Sequence, residues 1–170
     1  MKKLIIVLMM MSTLKMAAQT RPMSIGIGIG NQYGLLSGLR VAYLVNNKIE
    51  PSISFGQGFF AKNVAQTTLG LSYYFKGSQI GINKKGKFNL PGGLSYGLNW
   101  YHVFNNTNKN WDTNMIGHTL LLVYHLTKGE NTFHRIGFGA TYIQGHPTEI
   151  GIIPGFVYGF NYRLPFKVKN

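Results

Sequence analysis

Eight stretches of this chain alternate large apolar residues with small or polar ones, and that period of two is the spacing of a β-strand with two different faces. The first runs from Ser24 to Gly30, with Ile25, Ile27 and Ile29 on one face and glycines on the other. The second sets Leu39, Val41, Tyr43 and Val45 against Gly38, Arg40 and Ala42. The third sets Ile49, Pro51, Ile53 and Phe55 against Glu50, Ser52, Ser54 and Gly56, and the fourth sets Leu69, Leu71, Tyr73 and Phe75 against Thr68, Gly70, Ser72 and Tyr74. In the fifth, Leu94, Tyr96, Leu98 and Trp100 oppose Ser95, Gly97, Asn99 and Tyr101. The sixth, Ile116 to His125, is apolar on both faces. The seventh has Ile136, Phe138, Ala140 and Tyr142 against Arg135, Gly137, Gly139 and Thr141. The eighth has Phe156, Tyr158, Phe160, Tyr162 and Leu164 against Val157, Gly159, Asn161 and Arg163.

Which face points inward decides the environment. A sandwich or soluble barrel buries its large residues and exposes lysine, glutamate and threonine. Here the large face is richer in aromatics than a small core needs, and lysines are nearly confined to the connections. Apolar-out and polar-in is the arrangement a strand adopts when its outer face meets lipid. Composition agrees: charged residues are 12% of the 170, about half the usual share of a soluble domain, aromatics are 14%, and there are 22 glycines. The reading is therefore an all-β, eight-stranded, antiparallel up-and-down transmembrane barrel spanning 20–170, with a soluble secreted ligand-binding barrel as an alternative.

Residues 1–19 read as a signal peptide. Lys2 and Lys3 precede the apolar run Leu4 to Met11, and Ala17-Ala18-Gln19 supplies small residues for cleavage. That run is shorter than the roughly 20 apolar residues a spanning helix requires. Export followed by membrane-spanning strands implies the outer membrane of a Gram-negative cell. The connections fit: Asn46-Asn47-Lys48 and Thr127 to Asn131 are short, whereas Asn31 to Ser37, Gln57 to Thr67, Val103 to Met115 and Gln144 to Ile152 are longer. With both termini in the periplasm, all four longer links lie outside. The link from Lys76 to Gly93 breaks the pattern, being long and basic where a short turn is expected.

In these features the chain resembles, over about 25–166, the small outer-membrane β-barrel family that includes the outer-membrane protein A barrel and the opacity-type surface proteins. The terminal strand keeps the aromatic rhythm of that class in Phe156, Tyr158, Phe160, Tyr162 and Phe166. The resemblance implies outer-membrane lipids and the outer-membrane assembly machinery as partners. It also implies a non-enzymatic barrel serving as membrane scaffold, surface contact or narrow conduit.

A lipid-modifying barrel enzyme is the alternative within that class. A deacylase of this type carries His-x-Ser-Asn with a carboxylate partner; here His102-Val103-Phe104-Asn105 lacks the serine, and the nearest acid is Asp112. Acyl transfer needs a nucleophile beside a base, so no catalytic residue is assigned. His118, His125, His134 and His146 are scattered, no metal site is expected without ligand spacing, and no cofactor is implied. Gly26-x-Gly28-x-Gly30 lacks the later glycine and the helix of a dinucleotide loop. The excess of 17 Lys+Arg over 4 Asp+Glu, formally +13, falls to +10 when Lys2, Lys3 and Lys15 leave with the leader. These cations form no arginine-rich motif, so no nucleic acid is expected. Of the ten remaining lysines, only Lys62 and Lys109 fall in external connections and the others on the periplasmic side, which suggests inner-leaflet head groups or anionic periplasmic components.

Two sets of residues carry the site expectations. An aromatic girdle should place Tyr43, Tyr73, Phe75, Tyr124 and Tyr162 at the periplasmic rim, and Trp100 and Tyr142 at the external rim. A lumen charge cluster of Arg40, Glu50, Arg135 and Arg163 shares the polar face, with Glu50 the single acid in any strand. Counting along the strands puts Arg40 toward the outside and the other three toward the periplasm. Glu50 is thus predicted to pair with Arg163 or Arg135 and to close the lower lumen.

Overall fold

The computed structural model describes residues 23–45, 48–57, 64–75, 92–104, 114–127, 131–144 and 151–164. Eight strands appear in chain order: β1 Met23–Gly30, β2 Gly34–Tyr43, β3 Ile49–Gln57, β4 Val64–Tyr74, β5 Gly92–Val103, β6 Asn114–Thr127, β7 Thr132–Gln144 and β8 Ile152–Arg163. Each pairs antiparallel with its sequence neighbour, and β1 pairs antiparallel with β8, so the sheet closes on itself. Closure removes both sheet edges and satisfies the strand backbones within the wall, as a span through hydrocarbon demands. The fold is the up-and-down barrel expected from the alternation. The proposed leader, the basic link 76–91 and the histidine and acid positions His146 and Asp112 lie outside the described residues.

The two faces sort as the alternation requires. Along β4, Val64, Gln66, Thr68, Ser72 and Tyr74 are buried in the barrel, while Leu69, Leu71 and Tyr73 face out and are exposed. Along β8, Gly155, Val157, Gly159, Asn161 and Arg163 point inward against outward Tyr158, Phe160 and Tyr162. The exposed surface is correspondingly apolar: Ile27, Phe55, Leu71, Leu120, Leu122 and Phe138 all stand free of the core. Burial is reserved for Ser, Thr, Asn, Gln, Arg, Glu and His as much as for apolar groups. In water this would be upside down, since most of the large apolar side chains would remain wet.

The sixth strand, apolar on both faces in the sequence, has a local reason. Its inward Leu121 and Val123 cluster with Tyr33, Leu44, Tyr74 and Val157 inside the barrel, while Ile116, Leu120, Leu122 and Tyr124 face out. Part of the lumen is thus packed as an ordinary core.

The largest departure from expectation is at the β1–β2 connection. Asn31 to Ser37 reads in sequence as an external link; β2 instead begins at Gly34, leaving Asn31-Gln32-Tyr33 as a three-residue turn. Both flanking residues, Gly30 and Gly34, have φ of 99°, a left-handed conformation open to glycine without strain. They turn the chain inward rather than outward. Asn31, Gln32 and Tyr33 are all fully buried. The hairpin is short, so its turn enters level with the middle of β8, where Gly30 pairs with Val157. There the Asn31 amide donates to the Phe156 carbonyl at 2.8 Å, and the Phe156 amide donates to Asn31 Oδ1 at 2.8 Å.

Candidate functional site: a filled and layered lumen

The barrel interior is best described from the rim at which β1 begins, the proximal rim, toward the opposite, distal rim. Nearest the proximal rim, Arg163 lies over the Phe133 ring, 5.3 Å from its centroid. Phe133 in turn packs on His125, with ring centroids 4.6 Å apart. A guanidinium over an aromatic face is held by the ring quadrupole as well as by contact.

The next layer is ionic. Arg40 Nη2 donates to Glu50 Oε1 at 2.6 Å, and Arg135 Nη1 reaches the same oxygen at 3.3 Å. Both guanidiniums and the carboxylate are almost completely buried. The Tyr74 hydroxyl donates to Glu50 Oε1 at 2.9 Å and stands 3.0 Å from His125 Nε2. Arg135 then ties this layer to the turn: Nη1 donates to the Tyr74 hydroxyl oxygen at 2.9 Å, and Nη2 donates to Gln32 Oε1, Ser72 Oγ and Ser95 Oγ at 2.8 to 3.0 Å. Burying these charges is costly, and the shared carboxylate together with the hydrogen bonds of Arg135 offsets part of that cost.

One expectation about this cluster needs correcting. Arg40 reads as lying toward the outside, away from Glu50, yet it provides the shortest ion pair to that carboxylate. The wall position is as counted, since Arg40 pairs with Ser54 and Gly26. Its long side chain, however, runs along the lumen to Glu50, four positions from Ser54 on the neighbouring strand. Arg135 joins Glu50 as one of the two predicted partners, while Arg163 stacks on Phe133 at the proximal rim. His125 and Tyr74 belong to the same layer and were missed in sequence. His125 sits on the strand whose two faces are both apolar, where parity alone does not assign an inner side.

Across the middle of the barrel the inward turn takes over. Tyr33 lies inside the barrel along the β1–β8 wall and donates through its hydroxyl to Asn161 Oδ1 at 2.7 Å. A Cβ at Gly159 would run into the Tyr33 ring, so the glycine face of β8 is the seat of this side chain. Gln32 Nε2 donates to Ser95 Oγ at 2.7 Å. Above it a neutral hydrogen-bonded circuit runs around four strands and the turn. Asn31 Nδ2 donates to Thr141 Oγ1 at 2.7 Å, Thr141 and Thr119 hydroxyls lie 2.8 Å apart, and Asn99 Nδ2 donates to Thr119 Oγ1 at 2.7 Å. Thr68 donates to Asn99 Oδ1 at 2.7 Å, Gln66 Nε2 donates to Thr68 Oγ1 at 2.9 Å, and the same nitrogen reaches the Asn31 carbonyl at 2.7 Å. Toward the distal rim the lumen ends in an apolar layer of Val64, Tyr101, Met115 and Ile143, with Ile153 against it.

The girdle residues all face outward. Tyr43, Tyr73, Phe75, Tyr124 and Tyr162 lie toward the ends of the even-numbered strands, at the proximal rim, and Trp100 and Tyr142 lie toward the distal ends of β5 and β7. His118 and His134 also face out. Tyr96 Oη is 2.7 Å from His118 Nδ1, and Tyr158 Oη is 3.1 Å from His134 Nδ1. His102, at the end of β5, packs edge-to-face on Phe104 at 4.5 Å between ring centroids. Among the described residues no group of three or more His, Asp and Glu side chains could hold a metal ion.

No protein-family model matches the chain, and no curated protein matches it in sequence. A solved structure does match: the crystal structure of the N-terminal β-barrel domain of Pseudomonas aeruginosa OprF, at a TM-score of 0.58 and 18% identity. The match covers 85% of this chain and 100% of that one. At that identity the likeness is one of fold. The chain is a closed, eight-stranded, antiparallel β-barrel of the architecture found in that domain.

Proposed function

We propose that this chain is an integral, non-enzymatic barrel of the Gram-negative outer membrane, acting as a membrane scaffold or surface contact. The observation that carries this reading is the inversion of polarity. Leu, Ile, Phe and Tyr cover the outside, while Arg40, Glu50, Arg135, His125 and a circuit of amides and hydroxyls fill the inside. A soluble binding barrel would need the opposite sorting and an apolar cavity for its ligand. Of the roles the sequence leaves open, a conduit is the least supported, because Asn31, Gln32 and Tyr33 occupy the lumen, with Asn31 and Gln32 hydrogen-bonded to Thr141 on β7 and Ser95 on β5. The fold shared with an outer-membrane domain supports the location. On this reading residues 1–19 are an export signal, the termini are periplasmic, and the proximal rim with its aromatic set faces the periplasm.

The test is fractionation of cells expressing the full chain. The protein should sediment with outer membranes, resist carbonate extraction, and shift its gel mobility on boiling. Recovery in the soluble fraction, with no heat-dependent shift, would overturn the reading.

A further inference from the structure

The ionic layer is not balanced. Arg40 and Arg135 both address Glu50 Oε1, so two guanidiniums share one carboxylate. Arg135 disperses its charge over Tyr74, Gln32, Ser72 and Ser95. Arg40 has no such set. Its bond to Glu50 uses Nη2, and its Nε and Nη1 are buried with no partner among the described residues. A guanidinium carries five N–H groups, three of them on those two nitrogens. Leaving charged donors dry and unpaired inside a protein is among the most unfavourable arrangements known, and native structures avoid it.

We propose that the lumen between the inward turn and the proximal rim binds a small monovalent inorganic anion, of chloride size, held by Arg40 through Nε and Nη1. A neutral partner would satisfy the donors but leave the second positive charge without a counter-charge; an anion does both. The surrounding groups argue for a small one. Tyr74, which bonds the same carboxylate, packs with Tyr33 and Leu44 in one fully or almost fully buried cluster beside the ionic layer, and such side chains leave place for an ion rather than an organic ligand. The anion would complete the lumen electrostatically, with Glu50 serving one guanidinium and the ion the other. The site lies wholly in the lumen and is the same whichever membrane houses the barrel.

The experiment is unfolding of the refolded full chain in a non-ionic detergent, followed by loss of the compact gel species. Sodium chloride is titrated against sodium gluconate at matched ionic strength. Chloride should raise the folded-to-unfolded ratio saturably, by roughly tenfold once it exceeds its dissociation constant about tenfold, and gluconate should not. Arg40→Gln, which leaves Glu50 paired with Arg135, should abolish the chloride-specific component. Equal effects of the two salts, or an unchanged chloride response in that variant, would overturn the proposal. Should Arg40→Gln fail to fold, crystals of the unaltered chain soaked in bromide decide the matter. An anomalous peak within hydrogen-bond distance of Arg40 Nε or Nη1 supports the site, and its absence there refutes it.

Discussion

An ionic network sets one end of the lumen apart from the other. Toward the proximal rim, Arg40, Glu50, Arg135, Tyr74 and His125 form one connected ionic network. Toward the distal rim, Val64, Tyr101, Met115 and Ile143 form an apolar layer. The inward turn and the neutral amide-hydroxyl circuit separate them. The difference is one of tolerance: an ionic network is directional and coupled, so removing one member strands the rest, whereas an apolar layer asks chiefly for volume.

The largest effect is expected at Glu50. Glu50→Ala removes the acceptor shared by two buried guanidiniums and should destabilise the barrel by about 3–5 kcal/mol, the scale for stranding a buried charge. Denaturant unfolding in detergent or lipid measures it, and an unchanged midpoint would show that the carboxylate does not hold the arginines. Tyr33→Ala empties the centre of the lumen and cuts the bond to Asn161; truncating a buried aromatic should cost about 3–4 kcal/mol. The same variant should raise single-channel conductance in planar bilayers if the turn is what fills the passage. Gly159→Ala is gentler. Its methyl group must displace the Tyr33 ring, at about 1–3 kcal/mol of overpacking.

How much of this was legible in the sequence follows from what parity can and cannot report. Strand number, direction and facing came from alternation, because a closed sheet with two unlike solvents on its faces imposes period two on every strand. Glu50 and the arginines were assigned inward on the same ground. Parity fixes where a Cβ points, however, and not how far a side chain travels along the axis, so the Arg40–Glu50 pair was missed. The inward turn was missed for a different reason. Asn31-Gln32-Tyr33 has the polarity of a solvent-exposed link, and polar residues read alike whether water or a polar lumen surrounds them. The usable signal was its frame, Gly30 and Gly34 on either side, together with the glycine face of β8 that makes room for Tyr33.

The smallest expected effect sharpens the comparison from the distal end. Met115→Leu keeps apolar volume in the layer with Val64, Tyr101 and Ile143 and should change stability by less than about 1.5 kcal/mol. Thermal loss of the compact gel species checks it. A penalty approaching that of Glu50→Ala would mean that the distal layer is as exacting as the ionic one, and the contrast between the two ends would collapse.

On the proposed reading the apolar face of this barrel meets lipid. Trp100 faces outward toward the distal end of β5, and the chain has two tryptophans, so Trp111→Phe leaves Trp100 as a single reporter. The variant, refolded into vesicles, is read by tryptophan fluorescence with lipids brominated at successive depths of the acyl chain. Contact with lipid should give strong quenching by bromines near the interface, weaker quenching by those at the bilayer centre, and protection from aqueous iodide. Emission untouched by brominated lipid and fully quenched by iodide would contradict it.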